Sequence, residues 1–109
     1  MTVSELSQKL SLTPLTLADG ERECAGAYIG DLLSWVMGRA QADSVWITIM
    51  SNVNIVAVAS LTDVSCIVLA EGVAPDDGVC AVAEQKGVNI LSSEKSAYEL
   101  AALLAGILK

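Results

Sequence analysis

The sequence predicts an α/β fold: a mostly parallel β-sheet flanked by helices. Three observations carry that expectation. Val45-Trp-Ile-Thr-Ile49 and Cys66-Ile-Val-Leu-Ala70 are short, apolar, β-branched runs bounded by small polar residues, the pattern of strands buried on both faces. Met50 to Ser65, between them, is long enough for a helical crossover joining parallel strands. From Glu23 onward strand-like and helix-like stretches alternate, the order of a sheet with helices laid against it.

The elements follow in chain order. Thr2-Val-Ser-Glu5 fits a capping box opening a short helix to about Leu10, with Val3, Leu6 and Leu10 on one face. Leu12 to Leu17 reads as a strand that Pro14 pushes to a sheet edge. Ala18 to Glu21 is a turn, and Glu23 to Ile29 a second strand ending at Gly30-Asp31. Asp31 stands where an N-cap belongs, before an apolar-faced helix through Trp35 and Met37 to about Arg39 or Ala40.

After the Val45–Ile49 strand comes NIVAVAS, Asn54 to Ser60, whose β-branched content suits a strand. A strand there needs tight hairpins at Ser51-Asn52 and Thr62-Asp63, and neither has Asn-Gly or Asp-Gly chemistry. A buried helix starting after Ser51 or Asn52 is the preferred reading and the strand the alternative. Pro75-Asp76-Asp77 signals a helix start, with Gly87 as the C-terminal stop after Lys86. Val88 to Leu91 is the last strand. Ser96-Ala-Tyr-Glu99 is a second capping box, and Leu100, Leu103, Leu104 and Ile107 form the apolar face of the final helix.

A chain of 109 residues is one domain on length. It can bury roughly 65% of the surface its unfolded chain exposes, so it needs neither metal nor disulfide. Its apolar fraction is 53% and its mean hydropathy +0.56, against roughly 45–50% apolar as usual. A surplus of that kind is commonly buried against a partner. A membrane is excluded as the explanation, since no run approaches the ~18 apolar residues of a spanning helix. The net charge of −7 repels phosphate backbones, so nucleic acid is not an expected partner. MTVSELSQKLS lacks the basic start and apolar core of a signal peptide, and the chain reads as cytoplasmic.

Histidine is absent, which removes Ser-His and Cys-His nucleophilic systems and most zinc sites. Cys24, Cys66 and Cys80 match no zinc spacing and read as reduced apolar thiols. No phosphate-binding glycine motif occurs, and no glycine precedes a lysine. No catalytic residue, cofactor or metal ligand is expected. Ligands of open parallel sheets bind where strands end and helices begin. Those corners here hold Gly30 and Asp31, Ser51, Asn52 and Asn54, Glu71 and Gly72, and Ser93. They supply hydroxyls, amides and two carboxylates for a polar small molecule. The same residue types also serve as caps and turns.

The chain resembles a stand-alone DRTGG domain over nearly its whole length. The likeness rests on Tyr28-Ile-Gly-Asp-Leu-Leu-Ser34, Val56-Ala-Val-Ala59, Ile67-Val-Leu-Ala-Glu-Gly72 followed by Pro75, and Gly87-Val-Asn-Ile-Leu91 leading to Ser96-Ala-Tyr-Glu-Leu100. The resemblance implies a fold similar to the N-terminal domains of HPr kinase/phosphorylase and of the UDP-binding Mur ligases. It also implies a regulatory or dimer-forming role, as in family members that stand alone or beside CBS domains and phosphotransacetylases, and it favours the helix after Asn52. The name-giving Asp-Arg-Thr-Gly-Gly element is absent. Ser51-Asn-Val-Asn54 stands at its Gly-Asp-Arg corner and Glu71-Gly72 at its Gly-Gly. The arginine most suited to an anion is thus lost, and Glu71 would repel phosphate. The expected function is a non-catalytic regulatory or accessory module that self-associates as a homodimer, with an unidentified protein partner in addition. The alternative is a small-molecule sensor, for a nucleotide among other ligands, reading the strand ends.

Overall fold

The computed structural model describes residues 1–108. Five strands and five helices follow in the order α1 (Val3–Lys9), β1 (Thr13–Thr16), β2 (Ala27–Ile29), α2 (Leu33–Arg39), β3 (Val45–Thr48), α3 (Asn54–Thr62), β4 (Cys66–Leu69), α4 (Val79–Lys86), β5 (Ile90–Ser92) and α5 (Ala97–Ala105). The sheet order is β1-β5-β4-β3-β2. β2 to β5 are parallel, and β1 joins β5 antiparallel. Val45 pairs with Cys66 and Thr48 with Leu69, so the two apolar runs are neighbouring parallel strands joined by α3.

Strand alternation divides the core in two. Val45, Ile47, Cys66, Val68 and Leu91 face α1 and α5, where they meet Val3, Leu6, Leu100 and Leu104. Trp46, Ile67, Leu69 and Ile90 face the three crossover helices, meeting Val36 of α2, Ile55 and Ala59 of α3, and Ala83 of α4. Since β2 to β5 lie side by side in chain order, same-handed crossovers put all three connecting helices on one face. NIVAVAS is therefore helix, because tertiary placement outweighs its β-branched content.

Both capping boxes form, Thr2 with Glu5 and Ser96 with Glu99. The Thr2 N–H, donating to Glu5 Oε1 at 2.9 Å, is the largest cause holding the Glu5 carboxyl below its ordinary pKa. Gly87 ends α4 in the left-handed region, φ +71°. Other expectations need correction. β2 starts at Ala27 rather than Glu23, because Cys24 and Ala25 bond instead to Met1 O and Asp43 O. Asp31 does not cap α2. The N-cap is Leu32, with no side-chain bond, and the Asp31 carboxylate turns to β3. α4 begins at Val79 behind Gly78, so Asp76 and Asp77 precede the helix instead of filling its first turn. Leu103, expected on the buried face of α5, is 42% exposed.

Candidate functional site

The adjacent strands β5, β4, β3 and β2 end side by side, which brings Ser93, Glu71-Gly72, Ser51-Asn52 and Gly30-Asp31 into one row. Each corner has its own internal bonding. At the β2 end, Asp31 Oδ1 accepts from Thr48 Oγ1 at 2.8 Å and from the Ile49 N–H at 3.0 Å. Met50 N–H donates to Thr48 Oγ1 at 3.2 Å, so Thr48 links the β2 and β3 corners. Gly30 O accepts from Trp46 Nε1 at 2.9 Å, and a Cβ on Gly30 would come within 2.9 Å of the Tyr28 ring.

At the β3 end, Ser51 Oγ donates to Asp76 Oδ1 at 3.0 Å, and Asp76 N–H donates to Ser51 O at 2.9 Å. Asn52 Oδ1 accepts from the Asn54 N–H at 2.9 Å, an Asx turn leading into α3. Asp76, read from sequence as a helix-dipole residue, is instead the clasp between the loops after β3 and β4.

The connections leaving β4 and β5 run to opposite faces, one to α4 and the other to α5. Such divergence is where α/β sheets open a ligand crevice. Here the two loops are tied together. Glu71 N–H donates to Lys95 O and Gly72 N–H to Ser93 O, each at 2.9 Å, while Lys95 N–H donates to Ser93 Oγ at 3.0 Å. Glu71 and Gly72 are both left-handed, φ +62° and +70°. Two such residues in succession could aim their N–H groups at an anion, but both are engaged by the neighbouring loop. The Glu94 carboxylate lies against the space a Gly72 side chain would occupy. Glu71, Glu94 and Lys95 meet at this corner, two acidic residues to one basic.

Of the eight predicted site residues, Asp31 joins Thr48, Ser51 joins Asp76, and Glu71, Gly72 and Ser93 come together. Gly30 and Asn52 serve local structure. Asn54 lines a surface groove between α3 and α4. Sequence reasoning missed Thr48, Glu94 and Lys95. Thr48 was legible as the one polar residue in its apolar strand. Glu94 and Lys95 carry no local signal, since their importance comes from the β4–β5 pairing.

Two further features lie outside the row. A groove of about 210 Å³ runs between the open edge of β2 and α5, lined by Gly26, Ala27, Ala101 and Ala105 among others. Buried Cys24 and Cys66 lie in the core cluster facing α1 and α5, and their two thiols interact. That interaction pulls Cys24 down to about 7 and pushes Cys66 well above 9.0, with burial acting upward on both.

This is a small α/β module whose polar strand-end corners are tied to one another by hydrogen bonds. The chain belongs to the DRTGG domain family: the family model, described as DRTGG domain, matches residues 29–107. Its fold is similar to that of the CBS and DRTGG domains of the regulatory region of Clostridium perfringens pyrophosphatase, solved in complex with an activator, diadenosine tetraphosphate, at TM-score 0.73 and 11% identity. The match covers 94% of this chain and 45% of that one, so this chain spans less than half of the solved region. Comparison with curated proteins gives no match.

Proposed function

We propose that the chain is a non-catalytic regulatory or accessory module that acts in the cytoplasm by self-association. The observation that carries this reading is the apolar surface around β2 and α2. Ile29 is 46% exposed, Leu32 59% and Trp35 54%. The Arg39 guanidinium stacks on the Trp35 ring, 3.8 Å from its centre. Large apolar and aromatic side chains left open are enriched at protein interfaces. Membership of the DRTGG family and the likeness to a regulatory region support the same reading. Lysine-directed cross-linking of the dilute purified chain tests it. A two-chain band is expected, and a single-chain band at every cross-linker dose contradicts it.

A second reading is a ligand sensor at the strand ends, using Gly30, Asp31, Ser51, Asn52, Asn54, Glu71, Gly72 and Ser93. It draws support from the divergence of the loops after β4 and β5 and from the activator bound in the structural neighbour. Glu71 and Glu94 turn it away from naked phosphate and toward a neutral or cationic polar group facing Asp31. A thermal-shift panel tests it. A ligand at 100 times its Kd adds about 2.7 kcal/mol of stability, a shift of several degrees. A flat panel of nucleotides, amino acids and polyamines counts against the sensor.

A further inference from the structure

The two edges of the sheet differ in a way that bears on how the chain would self-associate. β1 carries Pro14 and a register break between Pro14 and Thr16, both of which discourage another strand from pairing there. β2, the opposite edge, has neither proline nor bulge, and Cys24 to Gly30 holds no charge in a chain of net −7. Gly26 O and Gly30 N–H bond to β3. By strand alternation, the N–H and C=O groups of Ala27 and Ile29 then point to the open side.

We propose that β2 pairs antiparallel with β2 of a second copy, with Tyr28 on the two-fold axis and Ile29 of each chain opposite Ala27 of the other. This names the surface for the self-association proposed above and rests on that reading. Three properties of the strand fit a second copy rather than an unrelated peptide. The outward groups of Ala27 and Ile29 form reciprocal hydrogen-bonded pairs in this register, leaving Tyr28 in the close, non-bonded position. A large residue meets a small one: Ile29 projects at 46% exposure opposite Ala27, beside an apolar groove whose lining combines Gly26, Ala101 and Ala105 with Ile29 itself, Leu104 and Leu108. The charges are also compatible. Asp31 falls opposite uncharged Ala25, and the two Asp31 residues lie roughly 20 Å apart along the strands, beyond the ~8 Å screening length at physiological salt. The result is one continuous sheet with no open β2 edge.

Two variants test the surface. In a Cys80→Ser background, Tyr28→Cys places two thiols across the axis, where the Cα separation of about 4.5 Å suits a disulfide. Oxidised glutathione should convert it to a cross-linked dimer. Ile29→Lys, at an exposed position the monomer tolerates, should raise the dimer Kd on the order of a hundredfold, since symmetry places the lysine in the interface twice. Circular dichroism confirms that each variant is folded. If the unmodified chain is dimeric but folded Tyr28→Cys stays uncross-linked, or Ile29→Lys leaves the dimer Kd unchanged, the β2 surface is wrong while self-association stands. If the unmodified chain is a monomer, the self-association reading itself falls.

Discussion

Glu71 is the residue whose conformation and identity disagree most. Among the described residues three other non-glycine residues have positive φ, Ser11, Asp43 and Asp63, and short polar residues, asparagine and aspartate among them, enter that region at modest cost. Glutamate has no such local compensation. Glu71→Gly should therefore stabilise the chain by about 0.5–1 kcal/mol, the strain relieved less the added freedom of the unfolded chain. In urea unfolding the midpoint should rise. A fall would mean that the Glu71 side chain holds the corner together. The thiol pair gives a second expectation. Cys24 titrates near 7 rather than 9.0, so its thiolate favours the fold, and that contribution is full above pH 9 and lost as pH falls through 7. Cys66 is raised, so its contribution is full below pH 9 and lost as pH climbs toward its own higher value. Taken alone, the pair makes stability rise from pH 7 to 9 and then turn down, while the raised Met1 amine, held by Glu23, works the other way above pH 8. Denaturant midpoints across that range check it, and the rise should vanish in Cys24→Ser.

The helix ends and the strand ends were legible to different degrees. The capping boxes at Thr2 and Ser96 are local chemistry within four residues, and both formed as expected. Ser96→Ala should cost about 1 kcal/mol by losing its bond from the Glu99 N–H. An unchanged melting temperature would show the cap to be redundant with packing of Leu100 and Leu104. The apolar runs at β3 and β4 were legible because burial on both faces leaves a continuous signature. Asp31 was misplaced because an aspartate before a helix looks like a cap, while its actual partners, Thr48 and Ile49, arrive from a different strand. Asp76 was misread for the same reason, its partner being Ser51 across a loop. NIVAVAS could be settled only by the parallel register of its neighbours. Seven of the eight candidate positions fall in one row because strand ends in a parallel sheet lie together, while Asn54 opens α3. How their loops bond across the row depends on pairings that no local pattern encodes.

At the scale of the whole molecule, the chain lacks the glycine cradle and lysine that hold β- and γ-phosphates in P-loop enzymes. Incubated with ATP, magnesium and a seryl protein substrate, it should transfer no phosphate. Stoichiometric transfer by the mass-verified chain would overturn the non-catalytic reading. The helices along one face and the two on the other enclose the two core clusters, yet Ile29, Leu32, Trp35, Met37 and Leu103 remain over 40% exposed. That surplus is the physical basis for the self-association proposed above. Among the described residues no helix is long and apolar enough to cross a membrane. The most direct test is light scattering of the purified chain across a hundredfold dilution from the micromolar range. The account predicts twice the 11.3 kDa chain mass at the concentrated end, falling toward one chain only at the dilute end if at all. A constant 11.3 kDa throughout, with no partner present, would contradict it.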